Sequence, residues 1–388
     1  MGMLSNTVSI CQFLVVGDTP AGDLFSWASE NLSRHGFQPI DQGTAELSVG
    51  WVHSGNHRES SFAAPADFWH DHYLAFSLRQ DRRRLPAALL KAYLQVEEQE
   101  FLLANPGLRR VPKQKREELR DKVRTQLLAR TLPVPTVYDA VWDSRTGLLT
   151  FASLAGTAVE AFETEFKKTF PGLRLVAVHP FARAEKVVDS PLQGALRTFN
   201  RATSEAVLDL MQSNRWLGWD FLLWLMYRTM NGSSEYRVSR PGPSGEGEPF
   251  VAYLNDRLVL ASNGEAGQQK ITVAGPQDRF SEVRTALENG KVINEAAIHL
   301  EKGEHLWKMT LKGEPFHFAS YKAPRVQAEK DATVDEASEQ EALFYERMYV
   351  LETGLQLFDS LFAAFLAVRL GSGWEGEMGA INAWLAAE

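Results

Sequence analysis

Cysteine is almost missing from this sequence: Cys11 stands alone among 388 residues. A disulfide within the chain is therefore excluded, and a thiolate metal site would need a second ligand class to complete it. A reducing cytoplasm is the expected setting. Long hydrophobic runs are missing too. No stretch reaches about 18 uninterrupted apolar residues, and the strongest, Trp219–Tyr227, is too short to cross a bilayer. The first twenty residues lack a basic start and carry only a short apolar run, so they read as a strand and not as a leader, and no membrane partner is expected. There is also no Walker loop and no GxSxG elbow, which leaves nucleotide hydrolysis and acyl transfer without a sequence basis.

What the sequence does have is segregated charge. Its 41 Lys and Arg stand against 49 Asp and Glu, a net −8. Between Arg79 and Arg130 the balance reverses, with 14 bases against 7 acids, a local +7 that leaves −15 for the remainder. Glu329–Glu388 holds 12 acids and 3 bases. A field divided in this way can steer a polyanion even when the total is negative. The plainer account is a solvated basic helix pair balanced by acids elsewhere in the fold, and charge alone favours that account.

Apolar periodicity divides the chain into helices and strands of ordinary length. Residues 8–16 predict a strand, Gly22–His35 a helix, and Leu47–Val52 and Tyr73–Leu78 two further strands. Pro86 opens a helix through Leu89, Leu90, Tyr93 and Leu94, which Asn105-Pro106-Gly107 interrupts, and a second helix runs from Lys113 to Leu128. Val137–Trp142 and Leu148–Ser153 read as a hairpin, followed by a helix over Ala158–Phe170 and a strand over Leu173–Val178. Trp216, Trp219 and Trp224 are spaced for burial along a helix.

Arg240–Pro249 is a Gly/Pro/Ser-rich loop. Beyond it, Phe250–Leu254 and Arg257–Ala261 predict a hairpin around Asn255-Asp256, and Lys270–Val273 a short strand. A helix over Arg279–Asn289 stops at Gly290, and Val292–Leu300 and His305–Leu311 alternate as strands. Gln327–Gln340 is acidic and expected to be solvated, and Phe344–Leu370 is an apolar helix long enough to anchor an interface between copies. The fold class is α+β, with mixed helices and antiparallel sheets in an elongated chain of several subdomains. Residues 1–180 form an N-terminal α+β domain with the basic helix pair, residues 181–326 a second α+β region with an insertion, and residues 327–388 an acidic linker and the apolar helix.

The basic helix pair carries the strongest chemical pattern. Arg116, Arg120 and Arg124, four residues apart, form one stripe, and Leu119, Val123 and Leu127 form the neighbouring stripe that would pack inward. Arg79, Arg82, Arg83 and Arg84 precede Pro86, and Lys91 follows on the first helix. Arg109, Arg110 and Lys113 lead into the second helix, which Lys115 and Arg130 bracket. Cations held on a rigid frame are what phosphate binding requires, with no base-edge code. Aromatic residues are few here (Tyr93 and Phe101), which disfavours a single-strand stacking platform. His53, His57, His70, Asp71 and His72 come nearest to a metal cluster. They read better as surface or satisfied histidines, because no paired carboxylate frame accompanies them. No catalytic residue, metal or cofactor is expected, and a metal-dependent nuclease ranks third, behind a DNA-binding protein and an acidic protein-interaction scaffold.

Several blocks together resemble the recombination-associated RdgC family. They are Arg79–Pro86 followed by Leu89-Leu90-Lys91, Lys113–Arg130 in register, Trp142-Asp143 then Gly147-Leu148, Gly50-Trp51-Val52, and Gly290–Leu300. The resemblance implies a ring-shaped homodimer that encircles double-stranded DNA with little sequence preference. It also implies restraint of a RecA-type recombinase and a place at the nucleoid. Two stretches depart from the family pattern. Ala129-Arg130-Thr131-Leu132 stands where members carry Pro-Arg-Ala-Phe, whose aromatic lies near a dimer contact, and Ala274-Gly275-Pro276 replaces a basic stretch.

Overall fold

A computed structural model describes residues 2–19, 23–264, 267–275, 280–326 and 336–387. In chain order the elements of the first half are β1 (Thr7–Val16), α1 (Leu24–Arg34), β2 (Leu47–His53), β3 (Trp69–His70), β4 (Tyr73–Arg82), α2 (Ala87–Ala104), α3 (Lys113–Arg130), β5 (Val134–Asp143), β6 (Leu148–Phe151), α4 (Gly156–Thr169) and β7 (Arg174–Ala177). The second half adds α5 (Pro180–Val187), α6 (Gln193–Phe199), α7 (Val207–Ser213), α8 (Trp216–Asn231), β8 (Glu235–Arg237), β9 (Pro249–Gly264), β10 (Gly267–Val273), α9 (Ser281–Glu288), β11 (Val292–Lys302), β12 (His305–Lys312), β13 (His317–Lys322), α10 (Glu336–Leu370) and α11 (Trp374–Ala386). Helices and antiparallel strand pairs make this an α+β chain, as its patterning predicts. Two compact units share the chain, and neither is contiguous in sequence. The larger comprises Met1–Val15, Leu148–Gly156 and Val176–Glu388, and the smaller Val16–Gly147 and Thr157–Leu175.

The smaller unit is built on the antiparallel order β5-β4-β2, with β3 paired to the start of β4. Every residue from Tyr73 to Leu78 is buried, so this central strand is covered on both faces. One face carries an aromatic core supplied by period-two positions of the strands and by α4. Trp51 meets Phe76 and Phe162 edge-on, and Trp142 meets Phe166 and Phe170. The Trp51 indole N–H would be an orphan there, but it donates to Thr169 Oγ1 at 2.6 Å. Trp27 of α1 closes the layer against Phe170.

The larger unit has the strand order β10-β9-β11-β12-β13-β1-β6, with β8 on β9. Its core helix is α10. Trp307 and Tyr321 anchor that helix to the sheet by donating to the carbonyls of Val350 and Leu351 at 2.7 Å each. Two buried arginines hold the rest. Arg183 of α5 donates to Asp359 and Gln12, with its guanidinium over the rings of Phe318 and Phe358. Arg347 donates to the carbonyls of Met3 and Ser5 ahead of β1.

Several expectations change. Asn255-Asp256 does not reverse the chain; β9 runs straight through it. Five residues of β9, Leu254 to Leu258, oppose three of β11, Ile298 to Ala296, and Asp256 takes the bulge at φ 65. The left-handed preference that makes Asn and Asp turn formers serves a bulge just as well. Of the acidic stretch, 327–335 lies outside the described residues, and Glu336–Gln340 belongs to the first turns of α10. That helix is no anchor between copies: Phe344, Leu351, Leu355, Phe358, Leu361, Phe362 and Phe365 are all buried in their own unit. Ser338–Leu370 is apolar enough to span a membrane, with mean hydropathy 1.4, yet 72% of its most apolar window is buried, which marks a core helix. Trp224 is buried as expected, whereas Trp216 and Trp219 are only half-buried. Strand β13 and helix α11 have no counterpart among the sequence-based segments.

Gly354 is where α10 comes closest to its sheet. A β-carbon there would stand 2.1 Å from the Tyr321 hydroxyl and 2.5 Å from Trp307 Cδ1. In an exposed helix interior Gly→Ala stabilises by about 0.5–1 kcal/mol, but overpacking costs about 1–3 kcal/mol, so the clash wins. Gly354→Ala is expected to lower the melting temperature, whereas Gly379→Ala, with open space in α11, raises it or leaves it unchanged. Thermal unfolding of the two variants checks the difference in sign.

Candidate nucleic-acid interface

The basic segment lies wholly in the smaller unit, and the end of β4 determines how it is presented. Arg79 and Asp81 point to the same side of the strand and pair through both carboxylate oxygens at 2.8 Å. Arg79 also donates to the His57 carbonyl, and its guanidinium lies 4.3 Å from the centre of the Phe37 ring. Two residues further, in the same phase, Arg83 is 3% exposed. It donates to the carbonyls of Thr131 (2.7 Å), Ala45 (2.8 Å), Ile40 (2.6 Å) and Asp41 (2.9 Å). Arg83 therefore has no face to offer a ligand, and Arg79 has little. Arg82 and Arg84, in the opposite phase, are exposed. The triplet read from sequence as one patch is divided by strand alternation.

The chain then leaves the sheet as a helical hairpin. No residue of α2 is buried, and Leu89, Tyr93, Val96 and Leu103 are exposed along it. Helix α3 is seated by Leu119, Val123, Leu127 and Leu128, the stripe its spacing predicts. Arg116, Arg120 and Arg124 consequently stay at the surface. The 18 residues of α3 rise about 27 Å. Arg109, Arg110 and Lys113 cluster at the far end, and Arg130 joins Arg82 and Arg84 at the base, where Arg83 grips Thr131. Lys91 is exposed on α2.

Carboxylates of the same unit occupy part of this surface. Arg116 Nε donates to Glu98 at 2.5 Å, and Lys122 to Glu97 at 2.7 Å. Arg124 grips both oxygens of Glu46 at 2.6–3.0 Å, and Lys115 reaches Glu118 at 2.8 Å. Lys122, absent from the cations singled out by spacing, lies in this network because α2 faces α3; only its charge signalled it. Exposed pairs of this kind stabilise by about 0.2–1 kcal/mol each. Among the described residues, Arg82, Arg84, Lys91, Arg109, Arg110, Lys113, Arg120 and Arg130 are exposed and form no ion pair or side-chain hydrogen bond.

The first turn of α3 has no acid and no side-chain cap, while Lys113, Lys115 and Arg116 crowd it. Cations at a helix N-terminus oppose the macrodipole by about 0.3–1 kcal/mol apiece. Helix stability does not account for them. An anion placed there would be favoured by the cations and by the free backbone N–H groups together.

The histidines do not converge. His53 Nε2 lies 2.5 Å from the Ser61 carbonyl and accounts for one ring nitrogen there. His72 Nδ1 lies 2.5 Å from Asp71, and its Nε2 faces Arg145 at 2.5 Å. That hydrogen bond holds the Asp71 carboxyl below its ordinary range. His57 contributes only its carbonyl, to Arg79. Among the described residues no three His, Cys, Asp or Glu side chains gather as metal ligands.

No curated protein matches the chain. A family model described as "Putative exonuclease, RdgC" matches residues 24–193. The matched span holds the hairpin and the smaller unit's β5-β4-β2 sheet, and over that span the chain is similar to this family.

Proposed function

We infer that this chain binds double-stranded DNA through its phosphates, without sequence preference, and modulates homologous recombination. As a homodimer it encircles the duplex and restrains a RecA-type recombinase, working in the cytoplasm at the nucleoid. The observation that carries this reading is the set of exposed, unpaired cations on α2, α3 and their flanks, one of which, Lys113, sits with Lys115 and Arg116 against the helix dipole. A rigid frame about 27 Å long suits successive phosphates, and the scarcity of aromatics suits a duplex better than stacked single strands. The scaffold alternative, in which the basic helix pairs with acids of Glu329–Glu388, loses its main support, because Glu46, Glu97, Glu98 and Glu118 supply those pairs.

The reading includes no catalysis, although the matching family model is described as "Putative exonuclease, RdgC". Metal-assisted phosphodiester cleavage uses clustered ligands that hold one or two ions at the scissile bond. On this reading the exposed cations form a binding surface, with Arg79 and Arg83 behind it as structural arginines. Incubation of linear duplex with the protein and magnesium is expected to leave full-length DNA; chelator-sensitive shortening would make the protein a nuclease.

Dimerisation belongs, on this reading, to the hairpin, where Leu89, Tyr93, Val96 and Leu103 lack cover and Leu132 is 79% exposed. A dimeric mass is expected by light scattering at micromolar concentration, and Leu103→Lys with Val96→Lys is expected to give monomers. A wild-type monomer would remove the ring.

The DNA reading is tested by salt. Arg82→Gln, Arg84→Gln and Arg120→Gln together should weaken binding to all duplexes alike and reduce the log–log salt slope by about 2.7, near 0.9 per phosphate contact. Their stability should stay within about 0.5 kcal/mol of wild type. Arg83→Ala is expected to behave oppositely, costing more than about 2 kcal/mol because buried carbonyls lose their donor. Filter binding at several salt concentrations and urea unfolding separate the two effects; an unchanged slope in the triple variant would remove these cations from the site.

A further inference from the structure

Three cations of the α3 surface already hold an anion from outside the helix. Arg124 gives its Nε–NH2 edge to both oxygens of Glu46, the same edge a phosphate would take in a bidentate contact. Arg116 directs Nε to Glu98, and Lys122 directs its ammonium to Glu97. The acids come from outside α3: Glu97 and Glu98 are consecutive on α2, and Glu46 precedes β2. Glu97 and Glu98 are largely tucked in, at 20% and 19% side-chain exposure, while their cations reach over them at 53% and 62%. The cations therefore face solvent with a carboxylate behind or beside them. A phosphate approaching this surface meets donors that are partly taken and a negative charge close by.

We propose that Glu46, Glu97 and Glu98 set the strength of DNA binding by acting as internal stand-ins for phosphate, which the duplex must displace from Arg124, Lys122 and Arg116. The proposal rests on the DNA-binding reading and adds the residues that limit it. A cation neutralised by its own carboxylate holds little condensed counterion, so its transfer to a phosphate releases little salt. The wild-type salt slope then reflects mainly the unpaired cations and underestimates the number of bases on the hairpin. Electrostatic grip is kept below what seven bases in α3 could supply, and release from DNA is correspondingly faster.

Glu46→Gln with Glu98→Gln tests this. Glutamine keeps the size and an acceptor oxygen while removing the charge, which frees Arg124 and Arg116. Duplex binding, followed by fluorescence anisotropy between about 50 and 200 mM salt, should tighten several-fold, and the slope should steepen by about 1.8. The control is Glu30→Gln with Glu165→Gln. It removes the same charge from two helical pairs of the same unit, with Arg34 and Lys168, and should change the slope by less than about half a unit.

Equal tightening in the control would reduce the effect to overall charge and overturn the proposal. Unchanged or weaker binding by E46Q/E98Q would overturn it too, since the carboxylates would then be idle or would hold the arginines in their productive pose. If wild type binds no duplex at any salt, the DNA reading falls and takes this proposal with it, whereas wild-type binding without tightening sinks the proposal alone. Should E46Q/E98Q lose its melting transition, Glu97→Gln frees Lys122 and is read the same way, with a slope steeper by about 0.9.

Discussion

The smaller unit depends on one buried guanidinium. Arg83 leaves the end of β4, turns inward and satisfies four carbonyls, three in the Ile40–Ala45 segment and one at the end of α3. A cation without a carboxylate partner is costly to bury unless its donors are met, and here carbonyl dipoles meet four of the five. The grip fixes the base of a hairpin whose first helix buries nothing. Where α3 points, and therefore where Arg120 and Arg124 stand, follows from that fastening and from the four apolar residues that seat the helix.

The surrounding charges divide into two classes with different physics. Arg79, Arg83, Arg183 and Arg347 are withdrawn from water and hold segments together by directed hydrogen bonds. The hairpin cations remain solvated, contribute little to stability, and keep their field available at a distance. One residue type does both jobs within a few positions of β4, because a strand sends alternate side chains to opposite faces.

Much of this was legible in the sequence. The spacing of Leu119, Val123 and Leu127 identified the buried stripe of α3 and so the exposed one. The apolar run over Tyr73–Leu78 and the alternation over Val292–Leu300 and His305–Leu311 located strands that the structure contains. The phase of Arg83 was legible too, since it is in register with Arg79 and Asp81, but three consecutive arginines read more readily as one surface patch. Other features were beyond local pattern. Whether Asn255-Asp256 makes a turn or a bulge depends on β11, which follows some forty residues later. Whether an apolar helix such as α10 faces another copy or its own sheet depends on Trp307 and Tyr321. The pairing of Arg124 with Glu46 spans 78 positions and leaves no periodic trace.

The order of the chain within the larger unit has a consequence for synthesis. Strand β1 is made well before its neighbour β13, which lies more than three hundred positions later, and its covering helix α10 follows later still. Translation proceeds at about 5–20 residues per second, so the half of β1 that pairs with β13 waits tens of seconds, although β6 reaches the other half earlier. The smaller unit, complete by Leu175, has all its strands and helices available in that interval. During it the apolar positions Val8 and Ile10 are without the neighbour strand they have in the finished protein. A nascent chain of this design therefore has one finished body and one half-paired strand, and that strand is the segment a ribosome-bound chaperone has most reason to hold.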